Sequence, residues 1–259
     1  MPSFSANIAF LFADRPFLDR IDAAKAAGFD KVECHFPYEF PIPVLRERLA
    51  RAGVAMTGLN TAPGDVARGE WGLAGMPGRE ADFAVHWSDA LAYAQALGTG
   101  KIHVMAGVVA PEARAAALDT YVANIRRAAR EAAAAGVTIL LEPLNVRDKP
   151  DYLVSRSDEI ADLIARVGEA NVKLLFDVYH VQIMEGDLIR RLERHRDVIG
   201  HVQIAAVPSR HEPDEGEVAY RAIFDALEAI GYHEPIGLEY RPRGRTEDGL
   251  GWMRALGVA

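Results

Sequence analysis

The chain has 259 residues, half of them apolar, and a formal net charge of -8; it can bury one large core, matches the roughly 250 residues typical of a (β/α)₈ barrel, and repels phosphate backbones rather than collecting them. A lone cysteine, Cys34, cannot close an intramolecular disulfide, the first residues lack the basic start and apolar run of a signal peptide, and no stretch offers the roughly eighteen apolar residues of a membrane span. The expectation is one cytoplasmic domain over residues 1–259, with neither nucleic acid nor membrane as partner.

Short β-branched or apolar runs alternate with longer Ala/Leu/Arg-rich segments, the pattern of βαβ units around a parallel sheet. A first strand is predicted at Phe4–Phe10 and a first helix at Phe17–Ala27, followed by strand Lys31–His35, helix Pro41–Ala52 and strand Val54–Leu59. Next comes Asn60–Arg79 (NTAPGDVARGEWGLAGMPGR), a Gly/Pro-rich connection of a length that is often functional. At about 60–79 in a barrel it lies on the C-terminal face, as an active-site lid or as an ordinary insertion.

Helix Arg79–Leu97, strand Lys101–Met105, helix Pro111–Ala135 and strand Val137–Glu142 continue the alternation. Helix Arg156–Val167 and strands Val172–Asp177 and Ile199–Ile204 follow, and helix Tyr220–Ile230 and strand Ile236–Tyr240 complete it. Gly28, Gly53, Gly98, Gly136, Gly168 and Gly231 each end a helical run before a strand, where a left-handed C-cap is expected. Ala128–Ala135 reads as a helix packed closely on the barrel. The fold class is α/β, a single (β/α)₈ TIM barrel.

In such a barrel the polar residues at the C-terminal strand ends point into the site. Strands five to eight end on Glu142, Asp177, Gln203 and Glu239. Three carboxylates facing one another repel unless protons or a cation neutralise them. A divalent metal does so, and a set of oxygen ligands without thiolate favours Mg²⁺ or Mn²⁺, tolerates Co²⁺ and favours Zn²⁺ less.

Taken singly, each residue has a plainer reading: a salt bridge from Glu142 or Glu239 to Arg147 or Arg241, a helix cap from Asp177, a structural hydrogen bond from Gln203. His180, three residues after Asp177, can face the same cavity and hydrogen-bond a substrate oxygen, or lie in a surface loop. His201 lies deeper in the barrel and reads as structural, while His35, His86, His103, His195, His211 and His233 look scattered. No nucleophile elbow, P-loop or dinucleotide fingerprint is present in the sequence.

With those residues in place, the sequence resembles the hydroxypyruvate isomerase family of the xylose-isomerase-like barrels, a group that includes 2-oxo-tetronate isomerases. The likeness runs through FSANIAFLF, FPYEF at Phe36–Phe40, NTAPGDVARGEWGLAGMPGRE, LEPLNVRDKP, LLFDVYHVQIMEG, IGHVQIA, GEVAYRAIF and GLEYRPRGRTEDGLGWM. It implies that Glu142, Asp177, Gln203 and Glu239 bind the metal, and that Glu142 and Glu239 are also the acid–base pair that moves a proton through an enediolate. Related ketose epimerases carry histidine where Gln203 stands, so Gln203 points to the hydroxypyruvate branch.

The same likeness makes Asp148, His180 and Arg210 substrate-pocket residues, although KPDYL after Asp148 departs from the family's Pro-Gly-aromatic pattern. A small sugar acid needs a cation for its carboxylate, and Arg210, Arg241 and Arg68 are the candidates. Trp71, Trp87 and Trp252 are either core or the face of a homo-oligomer.

Overall fold

The computed structural model describes residues 2–258. Eight parallel strands close in sequence order into a barrel, β1 pairing with β8. They are β1 (Phe4–Asn7), β2 (Lys31–Glu33), β3 (Ala55–Asn60), β4 (Lys101–His103), β5 (Thr138–Leu141), β6 (Val172–Asp177), β7 (Ile199–Ile204) and β8 (Ile236–Leu238). The helices are α1 (Phe17–Ala26), α2 (Ile42–Ala52), α3 (Glu80–Leu97), α4 (Arg114–Ala134), α5 (Ser157–Val167), α6 (Val178–Met184), α7 (Leu188–His195) and α8 (Tyr220–Ala229), with short α9 (Thr246–Gly249) and α10 (Trp252–Ala255) closing the chain. None of the described helices is long and apolar enough to cross a membrane.

Each helix covers the strands because its apolar residues recur on one side. In α5, Ile160, Leu163 and Val167 sit at helical spacing and are buried. In α4, Ala117, Ala128, Ala129 and Ala132 are fully buried; their small side chains let a long helix approach the barrel closely. The six predicted cap glycines all have positive φ, and Gly53, Gly98 and Gly168 are the C-caps of α2, α3 and α5. Trp87 and Trp252 belong to the core, whereas Trp71 is half-buried.

Several strands stop earlier than their apolar runs, because the ladder ends where the barrel mouth splays. After β1 the chain turns at once, with the Phe10 and Leu11 amides donating to the Asn7 carbonyl at 3.1 and 2.9 Å. Glu142 and Glu239 therefore stand one residue beyond β5 and β8, although the Glu239 amide still donates to the Ile204 carbonyl at 3.2 Å. The 60–79 segment packs down through a Val66–Arg68 turn and an antiparallel bridge from Gly72 to Ala106.

Candidate active site

Parallel pairing sets two of the predicted ligands in register. Asp177 stands opposite Gln203 and Gln203 opposite Gly237, with Glu239 two residues further on, just past the end of β8. Glu142, Asp177, Gln203 and Glu239 are all buried. Asp177 serves two readings at once: its Oδ1 accepts the Tyr179 amide at 2.9 Å and caps α6, while its Oδ2 is buried without a hydrogen-bond partner. Glu142 Oε1 and Gln203 Oε1 are orphaned in the same way. Three buried, unpartnered oxygens from three adjacent strands cost free energy unless a cation or donor meets them.

Ligand atoms of Glu142, Asp177 and His180 lie within 4.8 Å of one another. His180 is better read as a donor in this group. Its Nδ1 faces the Asn145 backbone amide at 3.1 Å and the Asn145 side-chain amide at 2.7 Å, two donors, so a neutral ring carries its proton on Nε2. Burial, with the nearby Arg210 charge, pushes His180 down to about 3, which keeps that ring neutral. Its Nε2 is 3.6 Å from Asp177 Oδ2 and 3.9 Å from Glu142 Oε1. The two carboxylates and the Gln203 amide oxygen thus fit a hard divalent cation.

Glu239 stands outside that close cluster. It accepts from Arg210 at 2.6 Å, from the Asn7 amide at 2.9 Å and faces His35 Nε2 at 3.3 Å. Burial raises its pKa, but the His35, Arg210 and His180 contributions overcome that and draw it down to about 2. Glu142 goes the other way: burial, Glu239 and Asp177 raise it well above the ordinary carboxylate value. Without a cation, Glu239 thus stands ionised and Glu142 protonated.

A cavity of about 310 Å³ opens onto these groups, lined among others by Phe10, Trp71, Lys149, His180, Arg210 and Arg241. Larger hollows of about 480 and 450 Å³ lie around the starts of the strands, at Ile236 and Ile199; neither gathers the buried carboxylates. Arg210 reaches Asp148 at 3.4 Å and Asp177 at 3.8 Å besides Glu239. Arg241 and Asp148 line the cavity, whereas Arg68 is exposed on the Val66–Arg68 turn and is not among the lining residues. The alternative salt bridge from Glu239 to Arg241 is absent among the described residues, and Arg210 takes that place.

Two histidines that look scattered in the sequence are brought to the site, which corrects that expectation. His35 contacts Glu239, and His103 Nδ1 is 3.4 Å from Glu142 Oε2. Sequence reasoning also missed Asn7, Glu33, Lys149 and Trp71. Asn7, Glu33 and His103 close β1, β2 and β4, so the strand-end rule applied to all eight strands would have found them. Lys149 lies over the Trp71 ring at 3.6 Å, tying the long loop to the loop after β5.

A family model described as xylose isomerase-like TIM barrel matches residues 21–256. The chain belongs to the xylose isomerase-like TIM-barrel family. Within that family it is 49% identical to the 2-oxo-tetronate isomerase of Cupriavidus necator, over 98% of each chain. It is 39% identical to the hydroxypyruvate isomerase of Escherichia coli K12, again over 98% of each. A crystal structure from Brucella melitensis described as an AP endonuclease, family 2, superposes with a TM-score of 0.96 at 44% identity, covering 98% of this chain and 99% of that one. Relatives named as isomerases span its whole length, and this xylose isomerase-like barrel is an enzyme of isomerase type.

Proposed function

We propose that the protein is a divalent-metal-dependent isomerase that interconverts hydroxypyruvate and tartronate semialdehyde. The observation that carries the proposal is the trio of orphaned oxygens on Glu142, Asp177 and Gln203, with Glu239 held ionised beside them. A Mg²⁺ or Mn²⁺ held there would bind the carbonyl and hydroxyl oxygens of the substrate and stabilise enediolate charge as a Lewis acid.

Glu239, held ionised by Arg210 and His35, takes the proton from C3. Reprotonation at C2 and passage of the hydroxyl proton from O3 to O2 complete the carbonyl shift. Glu142, from a strand on another side of the mouth, is the second acid–base group. The His180 Nε2 proton is available to a substrate oxygen. The substrate carboxylate falls to Arg241 and Lys149, cavity-wall cations with no ion pair among the described residues.

A second reading is the same shift on 2-oxo-tetronate, which carries one more hydroxymethyl group at C3. The 49% identity to the Cupriavidus necator relative supports it, as the likeness to the Escherichia coli K12 relative supports the first. Cleavage of abasic DNA needs a basic face, and a net charge of -8 opposes one. The test is isomerisation of both acids by chelated protein and by protein reloaded with Mg²⁺ or Mn²⁺, alongside Glu142→Gln and Glu239→Gln. Expected is metal-restored turnover, reduced at least about a hundredfold in both variants. Turnover that ignores chelation or survives both substitutions rejects the assignment.

A further inference from the structure

Beneath the proposed ligands lies a buried carboxylate that the reaction does not use. Glu33, at the end of β2, is 3% exposed and meets three donors. Its Oε1 accepts from Gln203 Nε2 at 2.6 Å and from Asn7 Nδ2 at 3.3 Å, and its Oε2 faces His201 Nε2 at 2.9 Å. Asn7 Nδ2 also donates to Glu239 Oε2 at 2.9 Å. One carboxylate therefore touches one proposed ligand directly and the proposed base through a single amide.

The contact has a chemical direction. The Gln203 amide donates from its nitrogen to Glu33 Oε1, which leaves its oxygen turned to the cavity. That oxygen is the orphan that stands with Glu142 Oε1 and Asp177 Oδ2. The opposite flip would aim two N–H groups at a cation. The fold makes room for the pair: at Gly237 on β8, a Cβ would lie 2.5 Å from Glu33 Oε1 and 2.7 Å from Gln203 Cγ.

The geometry points to Glu33 as the positioning residue that fixes the Gln203 amide oxygen toward the metal and steadies Glu239 through Asn7. This rests on reading Glu142, Asp177 and Gln203 as metal ligands. Outer partners that orient metal ligands are worth about 10–100-fold in metal affinity.

Mn²⁺ affinity of the chelated protein, measured calorimetrically, tests it. Glu33→Gln offers one accepting oxygen where two served Gln203 and His201, and should weaken Mn²⁺ binding at least about tenfold. If Glu33 acts through Gln203, adding Glu33→Gln to Gln203→Ala, which lacks the oriented oxygen, should cost little further affinity, whereas a general structural defect would add its full cost. Glu33→Asp keeps the charge but withdraws it by one methylene; it should also weaken binding, and it carries the test if Glu33→Gln fails to fold. Wild-type affinity in either Glu33 variant, or a Glu33→Gln loss that persists in full in the Gln203→Ala background, overturns the role of Glu33. Failure of the unsubstituted protein to bind Mn²⁺ overturns the metal site itself, before any variant is compared.

Discussion

Arg210 directs its guanidinium at the protein's own carboxylates, at 2.6 Å from Glu239 and 3.4 Å from Asp148, and it lies against the Tyr179 and Phe10 rings at 4.7 and 5.1 Å. Its backbone sits in the left-handed region, φ 58°, a conformation that costs a non-glycine residue about 1–2 kcal/mol. A side chain held this way joins His35 in keeping Glu239 ionised. Arg241→Gln and Lys149→Met should each raise KM for the acid substrate about tenfold with kcat little changed, the signature of lost uniform binding. Arg68→Ala should leave both within about twofold, since the residue is exposed and away from the cavity. Steady-state kinetics on the three variants decides it; a KM effect from Arg68 alone would mean that the 60–79 loop carries the anion contact.

Strand and helix positions were largely legible, because apolar runs, cap glycines and the repeat of βα units all report the same period. Strand lengths were not: side-chain hydrophobicity continues past the last ladder bond, so Glu142 reads as the end of β5 although the strand stops at Leu141. The 178–198 segment was equally hard to read. In α6, Val178, Tyr179, His180 and Val181 are all buried, so no polar face marks a helix there. Within the site, the four clustered polar residues showed because four apolar runs end alike, whereas Lys149, Trp71 and His35 come from loops whose placement is tertiary. Gly237 is a strand-level example: nothing in the sequence announces that its missing Cβ houses the contact between Glu33 and Gln203. Gly237→Ala should destabilise by about 1–3 kcal/mol through overpacking. Gly244→Ala, where an added Cβ meets nothing within 4 Å, should be near neutral. Denaturant unfolding of the pair measures the difference, and equal midpoints would mean that β2 and β7 yield without cost.

For the molecule as a whole, the carboxylate cluster links folding, pH and metal. Burial raises Asp177 from 3.8 to about 7, with Arg210 opposing and Glu239 adding to the rise. A group raised on folding contributes stability below its unfolded value and loses it as pH climbs through the folded one. Glu239, drawn down to about 2 from 4.5, contributes fully above pH 4.5, so between that pH and about 7 its share is constant while that of Asp177 declines. Glu142, also raised by burial, adds to the decline. His103 and His180, drawn from 6.5 down to about 3 by burial, gain stability over much of the same range, so the Asp177 share is read as a difference: the Tm of the metal-free protein relative to Asp177→Asn should fall as pH rises from 4.5 through 7. Divalent ions bind the ionised carboxylates and stabilise by mass action, so the gain in Tm on adding Mn²⁺ should grow over the same interval, and Asp177→Asn should flatten that growth. Thermal melts in chelator and in excess Mn²⁺ across that range supply the comparison. A metal-induced gain that does not change with pH would place the cation away from Asp177 and Glu142, because a site that releases no protons on binding is not built from carboxylates held protonated by burial.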